Sequence, residues 1–282
     1  MSTMMERFDR GLSGCFIRAL DSNTIRKSSS NEYSKRLIKQ ANKQKYFSNC
    51  NLTTIDVPKV FEVGDDYFDM EYIPAETFDL FFETCDANKI NFILNSLYEY
   101  FDFLISTKKT FKECEVKSKI SKKIESLEIP DSNFKNYLLT FEYDAVGVPK
   151  TFCHGDLTFS NILFNGKRVF FIDFLDSYLN SFLVDLVKLK QDLFYFWSIK
   201  VNNKKSLRLY QSKRFIWKQL YNRYQEYIDT DLFDLLDVLN LLRIQPYLTD
   251  QTHKIILKNL LESTTLYEKF NHSNGREVLK IS

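Results

Sequence analysis

The sequence predicts an α+β chain in two lobes, a small strand-rich lobe followed by a larger, mainly helical one. Three observations carry that prediction. Up to about residue 80, short apolar runs alternate with turn residues around one helical stretch. After about residue 87, apolar positions recur at spacings of three and four, as on the buried face of a helix. A strong hairpin pattern at 162–172 interrupts the helical half. With 282 residues, 44% of them hydrophobic and 16% aromatic, the chain can bury a substantial core, and the lobes are expected at 1–74 and 75–282.

In chain order, the runs 15–20 and 24–27, separated by Asp21, Ser22 and Asn23, read as a hairpin. Asn31 is the expected N-cap of a helix reaching about Phe47, with Leu37, Ile38, Ala41 and Phe47 on or near one side. Runs at 57–63 and 67–72, joined by Gly64, Asp65 and Asp66, form a second hairpin, and Pro74 closes the small lobe. Between residues 88 and 107, Ile90, Ile93, Leu94, Leu97, Phe101, Leu104 and Ile105 mark a buried helix. The charged stretch 117–150 is expected to hold a helix, a turn at Pro130 and Asp131, and a second short helix. Helices are then expected at 183–200, 207–227, 232–243 and 253–270.

Composition excludes several classes of function. With 39 Lys and Arg against 37 Asp and Glu, a net charge of +2 gives no general attraction to nucleic acid or to anionic lipid. The basic stretch Lys35, Arg36, Lys39, Lys43 and Lys45 reads as a solvated helix face. Five scattered cysteines lack the CxxC spacing of a zinc or redox site, so reduced thiols are expected. No apolar run reaches the roughly 20 residues of a membrane span, and a soluble, cytoplasmic chain without membrane partner follows as the expectation.

The chemistry concentrates between Cys153 and Asp176. Asn165 and Gly166 read as a two-residue turn joining Ile162, Leu163 and Phe164 to Val169, Phe170, Phe171 and Ile172. Such a turn returns Asn161 and Asp173 to one end of a rigid strand pair. An amide oxygen and a carboxylate there suit Mg²⁺, which takes hard oxygen donors and completes its shell with phosphate and water. Asp156 is then a carboxylate that can stand beside the metal without binding it. Phosphoryl transfer requires this division, because positioning and charge stabilise its transition state while a carboxylate accepts the proton of the attacking hydroxyl.

His154, Gly155, Asp156 and Asn161, followed by Ile172, Asp173 and Phe174, resemble the HGDxxxxN and IDF signatures of the aminoglycoside phosphotransferase and choline kinase superfamily. The resemblance implies the two-lobed protein-kinase-like fold and the cofactors ATP and Mg²⁺. It makes Asp156 the catalytic base, Asn161 and Asp173 the metal ligands, and His154 a structural member of the catalytic loop. Gly155 stands where protein kinases carry Arg, and no DFG-to-APE segment is visible, which favours a small acceptor over a protein.

The same resemblance makes Lys27, at the end of the first hairpin, the phosphate-positioning lysine, with its neighbour Arg26 as the alternative. Gly11, Leu12, Ser13 and Gly14 read either as a phosphate-binding loop, through Ser13 and Gly14, or as an ordinary turn. Glu32 is the sole carboxylate from Ser28 through Asn49 available to pair with Lys27, with Gln40 and Gln44 as other residues able to face the site. Met70 to Pro74 resembles the hinge that holds adenine through the backbone of Glu71 and Ile73. Asp176 reads as a metal or substrate contact or as a loop cap, and Asp185 as a structural cap near a helix start.

Acceptor identity is expected after about residue 180. Phe194, Tyr195, Phe196 and Trp197 read as core with a possible cation–π role, Asp229, Asp231, Asp234 and Asp237 as acids on a helix start and its polar face or as attractors of a cation, and Arg243 and Tyr247 as contacts to an anion or sugar. The function implied is an ATP-dependent kinase of a sugar, polyol or amino alcohol such as choline or ethanolamine. A protein kinase and an inactive nucleotide-binding scaffold are the alternatives.

Overall fold

A computed structural model describes residues 7–8, 15–30, 33–75, 78–202 and 206–273. Strands β1 (Arg7–Phe8), β2 (Cys15–Ala19) and β3 (Thr24–Ser29) lead into helix α1 (Ser34–Ser48). Strands β4 (Ile55–Asp56), β5 (Val60–Val63) and β6 (Tyr67–Glu71) precede α2 (Phe78–Thr84) and the long α3 (Ala87–Ser106). Next come β7 (Lys109–Thr110), α4 (Glu113–Ser126), α5 (Ser132–Thr140) and β8 (Pro149–Lys150). The pair β9 (Ile162–Phe164) and β10 (Val169–Phe171) is followed by α6 (Phe182–Leu193), α7 (Trp197–Val201), α8 (Leu207–Ile228), α9 (Asp231–Leu242), α10 (Gln251–Glu262) and α11 (Thr265–Ser273).

Packing divides the chain into two units, residues 1–103 with 154–176, and residues 104–153 with 177–282. In the first, β1-β2-β3-β6-β5 form an antiparallel sheet with β3 at its centre, where Lys27 lies opposite Ile17 on one side and Phe68 on the other. Alternation along β3 puts Ile25, Lys27 and Ser29 on one face. That face meets α1, whose Leu37 and Ala41 pack with Cys15, Phe68 and Met70. Helix α1 begins later than expected: Tyr33 occupies the cap position without a side-chain hydrogen bond, and the expected cap Asn31 lies outside the described residues, as does Glu32.

The segment 154–176 joins the first unit because β10 pairs in parallel with β4 and antiparallel with β9. Packing thus groups the segment 154–176 with residues before and after the lobe boundary expected at 74. The hairpin tip differs by one residue from the expected Asn165–Gly166 turn. The backbone N–H of Asn165 donates to the carbonyl of Arg168, leaving Gly166 and Lys167 at the tip. The Asn165 Oδ1 accepts the amides of Lys167 and Arg168, both at 3.0 Å, and Gly166 takes φ +89°. Asn is therefore needed before the turn rather than within it, because its side chain satisfies the loop amides.

In the second unit, Asp131 caps α5 by accepting from the amides of Asn133 and Phe134, and α8 and α9 stand where periodicity places them. Two expected helices are each broken. The stretch expected as one helix to Lys200 stops at Leu193, since Phe196 adopts φ +57° before α7 restarts. The stretch 253–270 parts after Glu262, and Thr264 Oγ1 accepts the amide of Tyr267 to begin α11. Among the described residues, no helix is long and apolar enough to cross a membrane, and the five cysteines form no disulfide.

Phe171, fully buried, stacks on Phe47 at 5.9 Å and meets Tyr100 edge-on at 5.1 Å. Phe171→Ala is expected to destabilise the chain by about 3–5 kcal/mol, read as a lowered urea midpoint at an unchanged denaturant slope.

Candidate active site

The site is assembled at the open end of the β9–β10 hairpin, entirely within the first unit. A short 3₁₀ turn, Phe159–Asn161, delivers Asn161 to the start of β9. Across the hairpin the amide of Ile172 donates to the Asn161 carbonyl at 3.0 Å, so Asn161 and Asp173 come to the same end, as the pattern predicts. The side-chain amide of Asn161 donates to the Asp156 carbonyl oxygen at 2.8 Å and to its carboxylate Oδ2 at 3.1 Å. That arrangement points the amide nitrogen at Asp156 and leaves the amide oxygen as the end that could hold a cation.

His154 is the fixture behind these residues. Its ring is buried, with Nδ1 accepting the amide of Asp156 at 3.2 Å and Nε2 facing the Ile172 carbonyl at 2.8 Å. Nδ1 acts as acceptor, so Nε2 carries the proton and donates. Burial pushes the ring down to a pKa of about 4, so it is neutral. Its backbone amide donates to the Tyr100 hydroxyl at 3.2 Å, and its carbonyl accepts from the amide of Leu175 at 2.8 Å.

Asp173 adopts φ +62°, an unusual backbone for a residue with a side chain. The turn directs its Oδ1 to the ammonium of Lys27 at 2.6 Å. Lys27 is almost wholly buried, whereas the Asp173 side chain keeps 34% of its exposure, leaving room for a further ligand. The helix partner of Lys27 is Gln40, whose Oε1 accepts at 3.0 Å, one of the alternatives to Glu32 raised by the sequence. Arg26 points elsewhere, forming a two-pronged pair with Asp69 at 2.6 and 2.7 Å. Strand alternation thus separates the two basic neighbours.

Other expected residues fall into place or drop out. Ser13 and Gly14 lie outside the described residues. Glu71 ends β6 with its amide donated to the Lys59 carbonyl, and Ile73 is buried just beyond. Asp176 pairs with Lys39 at 2.9 Å, both well exposed. Asp185 is buried in the first turn of α6, whose cap is Ser181. Of the acids weighed for the acceptor, Asp237 is buried against Lys190 and the Tyr195 hydroxyl, Asp231 and Asp234 pair with Lys269, and Asp229 accepts from Tyr221 and Gln225. Their charge is engaged within the fold. The four aromatics diverge, with Tyr195 buried and Phe194 half-exposed.

Two contacts were missed by sequence reasoning. Lys43 donates to the Leu175 carbonyl, and a Cβ placed on Gly155, which has φ +86°, would lie 2.2 Å from that same carbonyl oxygen. Only the glycine hinted at a close approach. This explains Gly155 sterically, beside the contrast with the Arg of protein kinases.

Residues 135–227 match the model of the phosphotransferase enzyme family. The match bears out the resemblance and the kinase class that it implies. No curated protein matches the sequence. Among solved structures, the streptomycin–ATP ternary complex of APH(2″)-IIa is 15% identical over 94% of this chain and 92% of its own, with a TM-score of 0.57. Choline kinase LicA from Streptococcus pneumoniae is 16% identical over 98% and 94%, TM-score 0.52. A glucosamine kinase is 10% identical over 87% and 75%, TM-score 0.52. These likenesses establish the α+β, protein-kinase-like fold.

Two outcomes follow. A ring held neutral in the folded chain favours unfolding when protonated, so stability present above pH 6.5 should fall, by on the order of 3 kcal/mol, as pH drops through about 4. Urea titrations across that range should show a shallower loss in His154→Gln. Gly155→Ala forces both a strained φ and a clash, and should cost about 2–4 kcal/mol, read as a lowered midpoint of thermal unfolding.

Proposed function

We propose that the chain is an ATP- and Mg²⁺-dependent kinase that transfers the γ-phosphate to a hydroxyl of a small molecule, a sugar, polyol or amino alcohol. The observation that carries this reading is the Asn161 amide bound to the Asp156 carboxylate while Asp173, at the end of the same hairpin, faces Lys27. Asp156 would accept the proton of the attacking hydroxyl. The amide oxygen of Asn161 and the carboxylate of Asp173 would hold Mg²⁺, which when bound neutralises the phosphate charge and orients the transferring group. The fit is chemical: both donors are hard oxygens, which suit a metal that takes phosphate and water into the rest of its shell.

Residues 1–74 would form the nucleotide-binding lobe. Lys27 would meet the phosphates on leaving Asp173, and Ser13 and Gly14 would cover them. With the Glu71 amide used within the sheet, adenine recognition would fall to the Glu71 carbonyl and the Ile73 amide. Gly155 and the fold shared with kinases named for choline and glucosamine support a small acceptor. The His154 ring, neutral at neutral pH, keeps its one N–H on the Ile172 carbonyl, and it positions Asp156 by accepting that residue's backbone amide.

The test is Mg²⁺-dependent ATP consumption against a panel of sugars, polyols and amino alcohols, run beside Asp156→Asn. An acceptor should raise consumption by the wild type, and the variant should lose about a hundredfold or more of kcat. Equal turnover by both chains would remove Asp156 from the role of base. Transfer to a protein but to no small alcohol would replace the small acceptor by a polypeptide.

A further inference from the structure

We propose that Lys43, assisted by Lys39, is a positioning residue for phosphoryl transfer: α1 holds the metal-binding turn 173–176 through two lysines. The proposal rests on the phosphotransferase reading above and adds to it a set of residues that sequence motifs do not mark.

Helix α1, SKRLIKQANKQKYFS, contains no acidic residue along its length. It therefore offers Lys27 only a neutral partner, the Gln40 oxygen, and no ion pair ties the helix to β3. The link to the site runs the other way, from the cations of the helix to the turn. Lys39 and Lys43, four residues apart, project from one helical face. Lys39 meets the Asp176 carboxylate at 2.9 Å, and Lys43 donates to the carbonyl of Leu175.

The Leu175 peptide is confined from three directions. Its amide donates to the His154 carbonyl at 2.8 Å, its carbonyl oxygen presses on Gly155, and Lys43 binds that oxygen. Two residues earlier, Asp173 holds its left-handed backbone, a conformation that persists only where neighbours over-determine it. Fixing the Leu175 carbonyl fixes the exit of that turn and hence the direction of the Asp173 carboxylate. The Lys39 pair is exposed at both ends, so screening leaves it the lesser of the two ties.

The experiment compares wild type, Lys43→Met, Lys43→Arg, Lys39→Met and Lys45→Met, the last an exposed lysine of α1 outside the clamp. Kinetics use whichever acceptor the panel identifies, and hydrogen exchange of the Leu175 amide is read on the same chains. Lys43→Met is expected to lower kcat on the order of tenfold to a hundredfold at unchanged KM for the acceptor, and to speed Leu175 exchange. Lys43→Arg should restore kcat to within about threefold, Lys39→Met should lose less than Lys43→Met, and Lys45→Met should match the wild type. A fully active Lys43→Met overturns the clamp alone. So does a lower melting temperature in Lys43→Met with normal kcat at a temperature where it is folded, which would mark a purely structural contact. A wild type inactive toward every acceptor overturns the phosphotransferase reading, and the positioning role with it.

Discussion

The neutral imidazole of His154 is the constraint on which the candidate site depends. One ring nitrogen accepts from the amide of Asp156 and the other donates to the carbonyl of Ile172, so a single rigid side chain sets the spacing between the loop and the end of β10. Neutrality is essential to that geometry, because an imidazolium would present two donors and reject the Asp156 amide. Burial against Phe174 and Phe171, at 4.4 and 5.9 Å, secures the uncharged form.

Electrostatics around Lys27 do not reduce to stability. Desolvating an ammonium and a carboxylate costs about what their attraction returns, and an apolar pair of similar volume would serve the fold as well. Removing Asp173 alone would cost about 3–5 kcal/mol by stranding the buried Lys27 ammonium. The pair with Asp173 is therefore a poor device for holding strands together; in the proposed function it would keep two charged groups ready for phosphate and metal. With Gln40 as its neutral neighbour, Lys27 meets no acid of α1, whose residues 34–48 include none.

Much of this was legible in the sequence because it is local. Hairpin geometry fixes Asn161 against Asp173 through the chain between them, and period-two alternation separates Lys27 from Arg26. The misses have physical causes too. The break at Phe196 uses a left-handed aromatic residue, which no propensity favours, and the split after Glu262 is capped by Thr264 within an otherwise continuous apolar period. The tie from Lys43 to Leu175 joins residues 132 apart in sequence through a main-chain carbonyl, which every residue carries and which leaves no mark in a side-chain pattern.

Asp173 answers two unrelated demands at one position. Its backbone, at φ +62°, admits glycine readily and otherwise the short polar side chains of asparagine and aspartate, which bond locally in that region. Its chemistry asks for an anionic oxygen within reach of Lys27. Glycine and asparagine meet the first demand without the charge, and glutamate supplies the charge on a longer stem that the left-handed turn disfavours. Of the genetically encoded residues, aspartate alone satisfies both, so the exchange of aspartate for glutamate, elsewhere among the mildest, is here a change of both backbone and reach.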